Sequence, residues 1–79
     1  QPPSINQYQQ LYQEAIERGD TQLALNHIRA ARFIDPTNPE IRQNLIKTYQ
    51  LLGDQQNTQT EQQNLNIIQN LNSSLVPSQ

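Results

Sequence analysis

Two glycines set the frame of this chain. Gly19 and Gly53 stand 34 residues apart, and each is followed by an aspartate, Asp20 and Asp54. Leu11 and Leu45, Ala31 and Leu65, and Ile34 and Ile68 share that offset, as do Ser4, Asn38 and Asn72. Glycine accepts the left-handed backbone that ends a helix, while Ser, Asn and Asp side chains cap the start of the next one. Turns, caps and apolar positions duplicated in one register predict a duplicated helix–turn–helix unit.

Local signals give each helix its bounds. Ser4-Ile5-Asn6-Gln7 reads as a capping box, and Ile5, Tyr8, Leu11, Tyr12, Ala15 and Ile16 follow at helical spacing. Gly19 ends that helix and Asp20 caps a second, whose stripe of Leu23, Ala24, Ile28, Ala31 and Ile34 stops at Asp35-Pro36. Asn38-Pro39-Glu40 supplies a cap, a proline at the first helical position and an acid in the first turn. The third stripe is Ile41, Leu45, Tyr49 and Leu52, closed by Gly53. Residues 54–64 contain no apolar side chain, and Leu65, Ile67, Ile68 and Leu71 then form one short stripe. A helix is expected from near Gln55, because glutamine propagates helices well. The alternative there is a flexible Gln/Asn-rich segment, which lacks the apolar area to offset ordering entropy. Asn72 occupies the cap position of a third unit that does not develop, and residues 72–79, which include Pro77, are expected to be a loose tail.

The run Tyr8-x2-Leu11-Tyr12-x2-Ala15, then Ala24-x3-Ile28, then Pro36 resembles the tetratricopeptide repeat, a 34-residue helical hairpin. The second unit gives Arg42-x2-Leu45-Ile46-x2-Tyr49 and departs from the pattern at Thr58, Gln62 and Asn70. The resemblance implies an all-α fold of antiparallel helix-turn-helix repeats, a short right-handed solenoid of about four helices. Its divisions are an extension over 1–4, a first repeat over 5–38, a second repeat or capping hairpin over 39–71, and the tail. A polar last helix suits the end of a solenoid, where no further repeat covers it.

Composition removes several classes of function. A net charge of −2 and a pI near 5.0 leave no basic footprint for nucleic acid. No apolar run approaches the roughly 20 residues that span a bilayer. Cysteine is absent, so neither a disulfide framework nor a thiolate metal site can form, and His27 alone cannot build a histidine-rich zinc site. No cofactor or metal is implied. His27 reads as a partly exposed helix residue, Arg29 and Arg32 as a solvated face, and Asp20 and Asp54 as caps. With no phosphate loop and no carboxylate pair at catalytic spacing, the chain is expected not to be an enzyme. A chain that begins at Gln1 is expected to be a processed product or an excised piece. Scarce lysine and absent cysteine lean towards a bacterial envelope protein, periplasmic or exported, with a cytoplasmic origin nearly equal.

What remains is the amide surface, supplied by 15 glutamines and 9 asparagines. The resemblance implies that the first helix of each unit lines a concave groove. That groove would present Asn6, Gln9, Gln10 and Gln13, then Gln43, Asn44, Lys47 and Gln50. Amides both donate and accept, which suits an extended peptide backbone. Only Lys47 and Arg42 are available to clamp a carboxylate, and a merely soluble face is the competing explanation. Leu25, Phe33, Ile46 and Leu51 lie off the main stripes and are the expected self-association contacts. The function expected is a non-catalytic interaction module for a protein or peptide partner. The alternatives are a self-association domain, since stacked repeats usually need three or more units, and a small regulatory subunit of an envelope enzyme or secretion machine.

Overall fold

A computed structural model describes residues 4–75 of the chain, which form four α-helices and, among those residues, no strand. They are α1 (Ile5–Glu17), α2 (Thr21–Ile34), α3 (Pro39–Leu52) and α4 (Gln55–Leu75).

The repeated Gly-Asp step is a repeated hydrogen-bonded structure. Gly19 (φ +78°) donates its N–H to the Ile16 carbonyl at 3.0 Å, and Asp20 donates to Ala15 at 2.9 Å. Gly53 (φ +74°) donates to Gln50 at 3.1 Å, and Asp54 to Tyr49 at 2.9 Å. These paired bonds satisfy the last carbonyls of α1 and α3 through a Schellman-type turn. The carboxylates of Asp20 and Asp54 then accept the N–H groups of Leu23 and Asn57, each at 3.1 Å, and start α2 and α4. A methyl group added at Gly53 would meet nothing within 4 Å, so substitution is opposed by backbone conformation alone. Gly53→Ala is expected to cost about 1 kcal/mol, a fall in Tm of roughly 4–8 °C, while Gly53→Asn, which tolerates left-handed φ, loses less. Equal melting of Gly53→Ala and the wild type would contradict the turn.

The remaining boundaries follow the same chemistry. Ser4 and Gln7 close a reciprocal capping box, the Ser4 N–H donating to Gln7 Oε1 at 2.7 Å. Asn38 Oδ1 accepts from Glu40 and Ile41. Asp35 leaves helical geometry (φ −134°, ψ 74°) because the proline after it disfavours the α region. The positions 34 residues beyond Pro36 and Pro39 are Asn70 and Ser73. Nothing stops α4 there, so it runs through Asn72 to Leu75. Asn72–Leu75, expected to belong to a loose tail, are therefore helical. Residues 76–79 with Pro77, and residues 1–3 of the expected extension, lie outside the described residues.

Close backbone packing is sequential. Backbones approach within 8 Å only between α1 and α2, α2 and α3, and α3 and α4. A closed four-helix bundle would also bring α1 to α4, so this arrangement is an open, repeat-like array of helical hairpins. Its extents of 45 × 33 × 17 Å fit that flat, unclosed form. The core joins Tyr12 and Ala15 of α1, Ala24, Leu25, Ile28 and Ala31 of α2, and Ile41, Leu45 and Tyr49 of α3. Because α2 packs on both α1 and α3, its buried arc is wider than one stripe. Leu25, expected as an exposed contact, is consequently a core residue with 6% exposure. Ile34, Leu52, Ile67 and Leu71 are on the apolar stripes yet exposed, each at a helix end or beyond the reach of a neighbour.

The polar stretch is helical from Gln55, capped by Asp54, and α4 carries a buried stripe made partly of polar residues. Thr58 and Glu61 are buried, followed by half-buried Leu65 and buried Ile68. The Thr58 hydroxyl donates to the Asp54 carbonyl at 2.7 Å, satisfying itself within the helix. Glu61 needs partners from elsewhere.

Candidate interaction site

Those partners are two arginines. Arg32 of α2 donates through Nη1 to Glu61 Oε2 at 2.7 Å, and Arg42 of α3 through Nη1 to Glu61 Oε1 at 2.6 Å. Each carboxylate oxygen thus receives one guanidinium. Arg42 also donates from Nε and Nη2 to the Pro36 carbonyl, at 3.2 and 3.0 Å, holding the α2–α3 turn. Charge-assisted bonds of this kind are the strong ones, and with Glu61 only 5% exposed they join three helices where apolar contact is thin. Arg32 is therefore not a solvated side chain, and Arg42 is not free to clamp a ligand in the groove.

The repeat shows what Glu61 replaces. Arg42 and Glu61 stand 34 residues after Tyr8 and His27. In the first unit that same pair of positions holds two half-buried rings, tilted by 39° with centroids 6.3 Å apart. One geometric site is filled by an aromatic contact in the first hairpin and an ion pair in the second. A second polar link joins α1 to α3. The Thr48 hydroxyl donates to the Asn44 carbonyl at 2.7 Å, and the Tyr12 hydroxyl lies 3.2 Å from Thr48 Oγ1 and 3.4 Å from the same carbonyl. Tyr12 thereby sets α1 beside α3.

On that pair of helices the expected groove residues divide. Gln9 and Gln13 of α1 stand one repeat before Gln43 and Lys47 of α3. Asn6, Gln13, Gln43, Lys47 and Gln50 are exposed, and Gln9 is half-buried. Among the described residues none of these six side chains makes an intramolecular hydrogen bond or ion pair. Gln10 belongs elsewhere, since it reaches Glu14 at 3.4 Å and lines a depression of about 260 Å³ with Gln7, Leu11 and Glu14. Asn44 is half-buried beside Tyr12, with its carbonyl occupied. Gln50 borders a second depression, about 440 Å³, lined further by Gln55, Gln59 and Gln62 of α4.

The first depression lies on α1 and the second on the α3–α4 hairpin. Between the units, buried Ile41 and Leu45 of α3 share one core with Leu25 and Ile28 of α2, and buried Thr48 meets Tyr12 of α1. The counterparts of those α3 residues on α1 are Gln7, Leu11 and Glu14. The counterparts of Leu25 and Ile28 on α4 are Gln59 and Gln62, both exposed. Apart from Leu11, polar side chains therefore stand on the outer sides of α1 and α4 where stacking residues stand between the units.

The remaining exposed apolar residues lie on the sides. Phe33 is 88% exposed, Ile67 57% and Leu71 56%; Leu51 is exposed too, and Ile46 is half-buried. Phe33 and Ile67 are repeat counterparts, 34 residues apart. No cluster of His, Asp or Glu suited to a metal occurs among the described residues, and no helix among them is long and apolar enough to cross a membrane. No protein-family model, curated protein or solved structure matches this chain.

Proposed function

We propose that this chain is a tetratricopeptide-like interaction module of two units, which binds an extended, largely uncharged peptide segment of a partner protein along α1 and α3. The observation that carries this reading is the set of unpartnered polar side chains at repeat spacing, Gln9 with Gln43 and Gln13 with Lys47. An extended backbone offers alternating donors and acceptors, and side-chain amides answer both. With Arg42 held by Glu61 and Pro36, a single lysine leaves little affinity for an acidic C-terminus.

The test is selection from a displayed library of unstructured peptides, followed by titration of the enriched ones. The Gln13→Ala, Lys47→Ala double variant should bind about tenfold more weakly, since each net hydrogen bond contributes roughly 0.5–1.5 kcal/mol. Its thermal melt should match the wild type, because both residues are exposed. No enrichment, or equal binding by the variant, would reject the groove.

A second reading, self-association, is favoured by one specific observation. Phe33, the only phenylalanine, is 88% exposed on a chain otherwise rich in polar surface.

A further inference from the structure

α4 is attached differently from the other three helices. The apolar core joins α1, α2 and α3 and includes no side chain of α4. The close backbone neighbour of α4 is α3 alone, reached through the short connection Gly53-Asp54. The inward side of α4 carries Thr58, Glu61, Leu65 and Ile68, of which only Leu65 and Ile68 are apolar. The Thr58 hydroxyl bonds within its own helix and adds no link to α3. A helix held by so little apolar area opens more readily than the core it rests on.

The face that receives α4 is built without it. Arg42, Ile46 and Tyr49 recur at four- and three-residue spacing and share one side of α3. The bond from Arg42 to Glu61 identifies that side as the one towards α4. Tyr49 belongs to the core of α1–α3, and Arg42 is tied through Nε and Nη2 to the Pro36 carbonyl, so neither depends on α4 for its position. Arg32 joins them from α2. Two guanidinium groups here meet a single carboxylate, because Glu61 is the only ionisable side chain in 55–75.

We infer that this face is a helix-binding site which α4 occupies as a displaceable stand-in, and that its partner is an acidic amphipathic helix of another protein. The partner's pattern is a carboxylate followed by apolar residues four and seven positions later. Glu61, Leu65 and Ile68 are that pattern, and the seated α4 supplies the geometry. A helix with further carboxylates answers both guanidinium charges, and one with an apolar residue in place of Thr58 buries more apolar area. The site lies on a different side of α3 from the groove shared with α1, so either can fail alone. Tethering keeps the effective concentration of α4 high, and a competitor's apparent affinity falls with the fraction of chains in which α4 is open.

The probe is a fluorescent synthetic peptide of residues 54–75, titrated with the full chain and followed by anisotropy. Glu61→Gln in the full chain removes the charge from the tethered helix and leaves the peptide's carboxylate intact. That variant should therefore bind the peptide about tenfold more tightly than the wild type does. A peptide that itself carries Glu61→Gln should bind the same variant about tenfold more weakly. Hydrogen exchange on the wild type needs no substitution, and α4 amides should exchange through an opening that leaves α1–α3 protected. Binding by the variant no tighter than by the wild type, or no preference for the charged peptide, overturns the site. So does exchange of α4 amides only together with those of α2 and α3.

Discussion

Glu61→Ala is expected to cost about 3–5 kcal/mol, because it leaves the Arg42 and Arg32 guanidinium groups partly buried without their counter-charge. A domain of this length commonly has roughly 4–12 kcal/mol in all, so the variant should sit at the edge of unfolding. Urea denaturation followed by circular dichroism is the measurement, read as a large fall in the midpoint. Glu61→Gln keeps the shape and one strong acceptor oxygen, and should fall between. The Arg42→Ala, Glu61→Ala pair should lose less than the sum of the two single changes, with a coupling of about 0.5–3 kcal/mol. An unchanged midpoint for Glu61→Ala would show that Leu65 and Ile68 hold α4 unaided. The ion pair need not be the most stabilising choice for this site, since well-packed apolar residues often do as well in place of a buried pair. Its distinctive contribution is geometric, because two guanidinium groups from different helices fix the position of a third helix that has few apolar anchors.

The turns and caps were legible because they are local. Gly19-Asp20, Gly53-Asp54, Ser4 and Asn38 each require a residue type that few others can replace, and each makes the expected hydrogen bonds. Burial was less legible, because it depends on neighbours that are distant in sequence. Leu25 looked peripheral to a one-sided stripe but lies on a helix with neighbours on two sides. Leu11 looked equivalent to Leu45, yet it is half-buried, because among the described helices only α2 packs closely on α1. Glu61 was hidden by its chemistry. Counting back from Ile68 and Leu65 at helical spacing lands on Glu61 and Thr58, so the stripe was present, but in residues that a search for apolar types passes over. The Arg42–Glu61 pairing itself was detectable only by aligning the units, where Tyr8 and His27 mark the same two positions. The amide surface gave candidate residues without their grouping. It took Tyr12 bridging to Asn44 and Thr48 to separate the Gln9–Gln13 side from the outer face that carries Gln10.

The repeat also turns one pair of leucines into a comparison of environments. Leu45→Ala is expected to cost about 2–5 kcal/mol, since Leu45 is fully buried between the units and its removal leaves a cavity lined by core side chains. Leu11 is the same residue at the same position of the first unit, but it is half-buried beside Gln7, Gln10 and Glu14. Leu11→Ala should therefore cost less than about 1 kcal/mol, because much of the side chain's apolar area is already in water and no enclosed void is formed. Urea midpoints of both variants, measured at one low protein concentration, make the comparison direct. A large gap means that the outer face of α1 stays in water in solution. Equal, large losses would mean that another chain covers the outer face of α1. That result would make the polar residues at the two ends of the described array contacts between chains.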